Sequence, residues 1–143
     1  MAVNTGKVVV GGLASGFVMN VLGFLLYGMW LGPKFNAEMD AAMPGASAKM
    51  ATGSAIAVSV VSWFIVGVLV VWLYAAMRPR FGAGFKTAAY AALAVWLCGF
   101  LFYLPQWQLG LMTTMTYTMA TVVSLVVLMA GGYVGGMLYK EEG

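Results

Sequence analysis

The chain is 143 residues long, 63% hydrophobic and 8% charged, against roughly 25% charged and about half apolar in a typical soluble domain. A chain of this length suits one compact domain but cannot hide so much apolar surface in its own core, so lipid is the solvent that its composition calls for. Histidine is absent and Cys98 is the single cysteine, which excludes an intrachain disulfide and leaves no ordinary zinc, haem or iron–sulfur ligand set and no histidine general base; seven cations and four acids, net +3, are too sparse for a nucleic-acid surface.

The first apolar stretch runs from about Val8 to Leu31. Lys7 before it and Ala14-Ser15-Gly16 within it imitate a secretory leader, but the apolar run continues well past those small residues, which favours a retained helix. Gly12, Gly16, Asn20, Gly23 and Tyr27 are spaced by four, four, three and four and so share one helical face. Gly12 and Gly16 form a GxxxG pair, where small residues let helix backbones approach closely, either inside the bundle or against another subunit. Asn20 falls near the middle of the span. An unpaired amide in hydrocarbon costs several kcal/mol, so it needs a partner, and Ser59, Ser62, Thr121, Ser124 and Cys98 are candidates. Interhelical glue is its expected role, with contact to a quinone, lipid or pigment as the sharper alternative.

Between Pro33 and Met50, Phe35, Met39 and Met43 recur every four residues, with Lys34, Asn36, Glu38 and Asp40 elsewhere on the turn. This pattern predicts a short amphipathic helix lying on the membrane surface, ended by Pro44-Gly45. Glu38 and Asp40 alone make a poor calcium site.

The second apolar stretch runs from about Ala51 to Met77, the third from about Thr87 to Leu104 and the fourth from about Thr113 to Tyr139, and none of the four contains Asp, Glu, Lys or Arg. Each is near or above the roughly 20 residues that a helix needs to cross the hydrocarbon layer. Backbone groups in lipid must be paired internally, which favours continuous helices; runs such as Ile65 to Leu73 do not alternate as barrel strands would. The expected fold is an all-α membrane protein: four transmembrane helices in an antiparallel bundle, plus a short interfacial helix in the first outer loop, as a single domain over 1–143.

Between the second and third stretches lie Arg78, Arg80 and Lys86, three of the seven cations, with no acid beside them. Their expected role is headgroup anchoring, worth about 1 kcal/mol per basic residue on an anionic leaflet. Gly84 to Thr87 lacks the GxxxxGK[ST] spacing of a phosphate loop. Trp63 and Trp96 fall well inside the second and third stretches, where they either pack in the core or stack on a hydrophobic ligand. In the fourth stretch Gly131 with Gly135, and Gly132 with Gly136, give two adjacent smooth faces, one to pack within the bundle and one to meet a partner or a flat ligand. Thr113, Thr114, Thr116, Thr118, Thr121 and Ser124 line its first half; hydroxyls can bond back to their own helix carbonyls, so this richness does not by itself make a pore.

Lys7, Arg78, Arg80, Lys86 and Lys140 fall on one side of the membrane and only Lys34 and Lys49 on the other, five against two. The positive-inside rule then places both termini in the cytoplasm of a bacterial-type inner membrane. Gly11 to Pro33 (GGLASGFVMNVLGFLLYGMWLGP), Val71 to Ala88 (VWLYAAMRPRFGAGFKTA), Ala94 to Leu97 (AVWL) and the closing GGYVGGMLYKEE together resemble a group of small, uncharacterised bacterial four-helix integral membrane proteins. The resemblance spans nearly the whole chain; it implies the architecture and a bacterial origin, and no activity.

No ionisable group lies at membrane depth to mark a proton or substrate path, and Cys98 has no evident activator. The expected function is therefore a non-enzymatic accessory or scaffolding subunit of a larger membrane complex, respiratory or photosynthetic, that packs through its glycine-rich helix faces. The alternative is a small transporter or binder of a neutral or lipid-like molecule. The expected partners are membrane lipids and other membrane-protein subunits, not nucleic acid. No cofactor is predicted, and bound lipid, quinone or pigment stays open.

Overall fold

The computed structural model describes residues 3–140, which form four long helices of a length and apolar composition that can cross a membrane. The chain is thus a multi-pass membrane protein by architecture. Of the four acids, Glu141 and Glu142 lie outside the described residues.

The first long helix is built in three parts: α1 (Thr5–Gly23), a π-helical segment (Phe24–Leu31) and α2 (Gly32–Ala42). The Asn4 side chain starts it by accepting the Lys7 N–H at 3.1 Å, which satisfies one of the orphan donors of a helix start. The expected surface helix after Leu31 is therefore not separate: α2 continues the first span without a break, giving one helix of 38 residues. Pro33 does not stop it: it falls at the junction of the π-helical segment with α2, where the i→i−4 ladder is already interrupted by the wider turns, and its fixed φ suits a helix. The wider π turn brings the Tyr27 carbonyl so close to Gly32 that a Cβ there would lie 2.9 Å from the oxygen. At 1.5 Å per residue, 38 residues reach about 57 Å, well beyond the ~30 Å hydrocarbon layer. The charged α2 is the part that overhangs the apolar stretch.

Gly45, at φ +81°, turns the chain into the short α3 (Ala46–Met50). Asp40 holds that turn by accepting the Ser47 N–H at 2.9 Å and the Ser47 hydroxyl. Then follow α4 (Gly53–Phe81), α5 (Phe85–Gln108) and α6 (Thr114–Leu138). Both α4 and α5 run further than their apolar stretches, through Pro79 and Pro105. A proline this close to a helix end frees only one carbonyl four residues back, and the last turns still close through Gly82 N–H to the Arg78 carbonyl (2.8 Å) and Leu109 N–H to the Pro105 carbonyl (2.9 Å). Arg78 and Arg80 thus belong to the last turn of α4 and Lys86 to the first turn of α5, leaving Gly82 to Gly84 as the whole turn.

Asn4 N–H donates to the Tyr139 hydroxyl at 3.2 Å, so the two ends of the described chain meet on the side of the Gly82–Gly84 turn. We call this the termini end; the opposite side, with α2, α3 and the Leu109–Thr113 connection, is the loop end. α1 packs against α4 and α6, and α5 packs against the same two helices from the other side.

The tightest contacts are between backbones. A Cβ on Gly67 of α4 would sit 2.5 Å from both the Gly12 carbonyl oxygen and the Gly16 nitrogen. A Cβ on Gly12 would meet Val68, and one on Gly16 would meet Phe64. On the other flank, a Cβ on Gly135 of α6 would lie 2.9 Å from the Gly11 carbonyl oxygen, and one on Gly131 would meet Met19. Lipid tails are as apolar as leucine, so dispersion across these crossings replaces the usual hydrophobic drive.

Gly67→Leu should separate α1 from α4 and cost 3 kcal/mol or more, about the upper end of ordinary overpacking, because two backbones would have to move. The check is the unfolding midpoint in detergent. A midpoint equal to wild type would show that the two helices do not meet at Gly67.

Candidate functional site

The glycines singled out by spacing are used within the chain. Gly12, Gly16 and Gly23 are buried on α1, Gly23 beside the Trp63 indole. Gly131 and Gly135 face α1, while Gly132 and Gly136 face Val70 and Tyr74 of α4 and Ala88 and Ala92 of α5. All four are buried, so neither smooth face of α6 is left open to another chain, contrary to the expectation that one of them meets a partner.

The Asn20 amide donates to the Gly16 carbonyl (2.9 Å) and across to the Val60 carbonyl of α4 (3.2 Å). Its cross-helix partner is a backbone carbonyl rather than a serine, threonine or cysteine side chain. Trp96 donates its indole N–H to the Thr121 carbonyl (3.0 Å) and the Ser124 hydroxyl (3.1 Å) and stacks on Phe100 at 5.6 Å. The ladder continues through Tyr117 to Trp107, whose N–H reaches the Thr114 hydroxyl. Trp63 is half-buried against the core cluster. These two tryptophans stand on different helices, and neither lines the cavities described below.

At the termini end the Arg78 guanidinium lies 5.7 Å over the Tyr139 ring, which ties this cation to the end of α6 as well as to the interface. Arg80 and Lys86 are exposed. Beneath them, Tyr74, Gly84, Phe85, Ala88, Tyr133 and Gly136 border a cavity of about 240 Å³.

The most polar cluster is at the loop end, where spacing did not point. Glu38 of α2 accepts the Thr113 N–H (3.0 Å), the Thr113 hydroxyl (2.9 Å) and the Thr116 hydroxyl (2.7 Å). No acid stands in the first turn of α6, so the carboxylate that suits the positive end of that helix comes from α2. Burial works to raise the Glu38 carboxyl, but the Thr113 N–H, the Thr116 and Thr113 hydroxyls and the Lys34 ammonium outweigh it and hold it below its ordinary value. Asp40, held by Ser47, serves a different turn, and the described residues contain no group of three metal-ligating side chains. Nearby, the Tyr27 hydroxyl donates to the Ala120 carbonyl at 2.6 Å. One signal for this cluster was present in the sequence: a threonine-rich helix start without its own acid.

Between the π-helical segment and α6 lies a groove of about 360 Å³, bordered by Leu26, Trp30, Thr118, Met119, Val122 and Val126. The Thr118 hydroxyl is spent on the Thr114 carbonyl at 2.8 Å, so the groove wall is apolar. On the opposite flank, α4 and α5 lose their cover toward the loop end. Along α4, Val70 and Tyr74 are buried, Val66 is half-buried and Ser59 is exposed. Along α5, Ala88 and Ala92 are buried, Val95 is half-buried, and Gly99 and Phe102 are exposed, Phe102 at 82%.

No family model, curated protein or solved structure matches the chain.

Asn20→Ala should cost about 1 kcal/mol, the usual value of one interhelical hydrogen bond in a membrane. Thermal unfolding in detergent measures it, and an unchanged midpoint would mean that the α1–α4 bond contributes nothing. Glu38 has a lowered folded pKa, so its contribution to stability is complete above the ordinary glutamate value and is lost as pH falls through the folded value. The wild-type midpoint should therefore fall on acidification more steeply than that of Glu38→Gln; parallel curves would remove the carboxylate from the stability of the loop end.

Proposed function

We propose that this chain is a non-enzymatic accessory or scaffolding subunit of a larger complex in a bacterial inner membrane, with both termini cytoplasmic. The cation distribution supports the orientation, since Lys7, Arg78, Arg80, Lys86 and Lys140 fall at the termini end and Lys34 and Lys49 at the loop end. Glu38 and Asp40 are engaged with Thr113, Thr116 and Ser47, and Cys98 is exposed and single, so the described carboxylates and thiol form no catalytic constellation.

The uncovered flank of α4 and α5 is the observation that carries the subunit reading. The stripes that form the core near the termini end continue toward the loop end as Ser59 on α4 and Gly99 on α5, with nothing over them. Small residues at such positions let a further helix come close, and the occupant that fits is a membrane-spanning helix of another subunit. The proposal moves the docking surface from the glycine faces of α6, which are spent, to this flank.

Mild-detergent extraction from native membranes, followed by size separation, mass spectrometry and an absorption spectrum, tests the reading. The expected result is co-migration with a larger complex. Gly99→Leu should release the chain while leaving its own fold intact, because a Cβ at Gly99 meets nothing within 4 Å. Migration as a single chain would overturn the subunit reading and leave the binder or transporter of a neutral or lipid-like molecule as the reading to pursue.

A further inference from the structure

We infer that the groove between the π-helical segment and α6 is a binding site for one phospholipid of the leaflet at the loop end, with an acyl chain along the groove and the phosphate on Lys34. This site lies on a different flank from Ser59 and Gly99 and stands whether or not the chain is a subunit.

The volume, about 360 Å³, falls within the ~300–1,000 Å³ usual for small-molecule sites. Its wall is made of Leu26, Trp30, Met119, Val122 and Val126, and its one hydroxyl, on Thr118, is already bonded to its own helix. A polar occupant would lose its hydrogen bonds there without replacement, so the part inside the groove is a hydrocarbon chain.

Lys34 marks the mouth. It stands four residues, one turn, beyond Trp30 on the same continuous helix. Its ammonium reaches across to α6 and donates to the Met115 sulfur at 3.3 Å. Met115 is in turn three and four residues outward of Thr118 and Met119, which border the groove. The cation thus bridges the two walls at the end where α2 leaves the apolar stretch. A thioether is a weak acceptor, so a phosphate oxygen offers this ammonium a much stronger bond. The nearest acid, Glu38, is one turn further out; Lys34 acts on it by charge, but its hydrogen bonds come from three donors of Thr113 and Thr116. An apolar slot capped by a cation at the headgroup level is complementary to an acyl chain joined to a phosphodiester.

The path of the first helix supports the same assignment. The π-helical run spans Phe24–Leu31 and contains both helix-1 residues of the groove, Leu26 and Trp30. Such wide turns are uncommon and are frequent at functional sites.

The test uses the whole chain reconstituted in vesicles of equal phosphatidylethanolamine and phosphatidylglycerol, then stripped with detergent and weighed by native mass spectrometry. One phospholipid should remain per chain. Lys34→Gln should lower the retained fraction about tenfold, the ratio expected of one charge-assisted hydrogen bond, and Val122→Trp should abolish retention by filling the groove. Val61→Trp, on an exposed position of α4, should leave it unchanged. Equal loss in all three variants, or retention of a fatty acid or of a second protein chain instead, would overturn the site. For the case that Val122→Trp fails to fold, a phospholipid with a photoactivatable acyl chain should label wild-type peptides containing Trp30 and Val122; labelling spread evenly over α4 and α5 would equally overturn it.

Discussion

Two helix backbones that touch set the form of the rest of this molecule. Gly67 sits where the Gly12 carbonyl and the Gly16 nitrogen leave no room for a side chain, and Gly135 sits similarly against Gly11. In water such a crossing would be one contribution beside a large hydrophobic term. In lipid that term nearly vanishes between helices, and what remains is dispersion over the closest approach. α1 therefore acts as the keel of the bundle, with α4 on one flank and α6 on the other, and α5 closes the far side through Ala88, Ala91 and Ala92. Because the glycines cluster toward the termini end, the bundle is dense there and opens toward the loop end.

Where packing thins, hydrogen bonds take over. Asn20 joins α1 to α4 through the Val60 carbonyl, Tyr27 joins the π-helical segment to α6 through the Ala120 carbonyl, and Glu38 joins α2 to the start of α6. Two of these three acceptors are backbone carbonyls already bonded inside their own helices, which accept a second hydrogen bond with their free lone pair. Close backbone contact thus dominates between the helices toward the termini end, where Asn4 and Gly84 also donate to the Tyr139 and Tyr74 hydroxyls, and directed side-chain bonds dominate toward the loop end. The groove beside Leu26 and Trp30 lies in this second region.

The four spans were legible because hydropathy over about 20 residues reports the solvent directly, and the α1 face was legible because spacings of four and three keep Gly12, Gly16, Asn20 and Gly23 on one side. What a face meets was not legible. A lipid-exposed residue and a core residue have the same chemistry in these helices, so Gly132 and Gly136 read equally well as docking and as internal packing, and only the fold places Ala88 and Val70 against them. Asn20 was read as needing a partner, and the one it has across the helices is a backbone carbonyl, which leaves no mark in side-chain chemistry. The role of Glu38 at the start of α6 was not read for a different reason. The residue looked like part of a solvated surface helix, because the continuation of the first span through Pro33 depends on the π turn and on Gly32, which local propensity does not report.

That continuation ties the overhang to the groove. A helix that ended at Leu31 would release α2 to lie on the membrane surface, and Lys34 would then have no fixed relation to Met115. With the helix unbroken, Lys34 and Glu38 stay on the side that faces α6, and each finds a partner on the first turn or approach of that helix. Glu38 satisfies the orphan N–H and hydroxyls of the helix start, which fixes the mouth. Lys34, one turn inward, also acts on the Glu38 carboxylate by charge, but its hydrogen bond goes to a thioether, a weak acceptor. An ammonium whose own hydrogen bond ends on a thioether, at the rim of an apolar groove, is what a lipid phosphate would complement there.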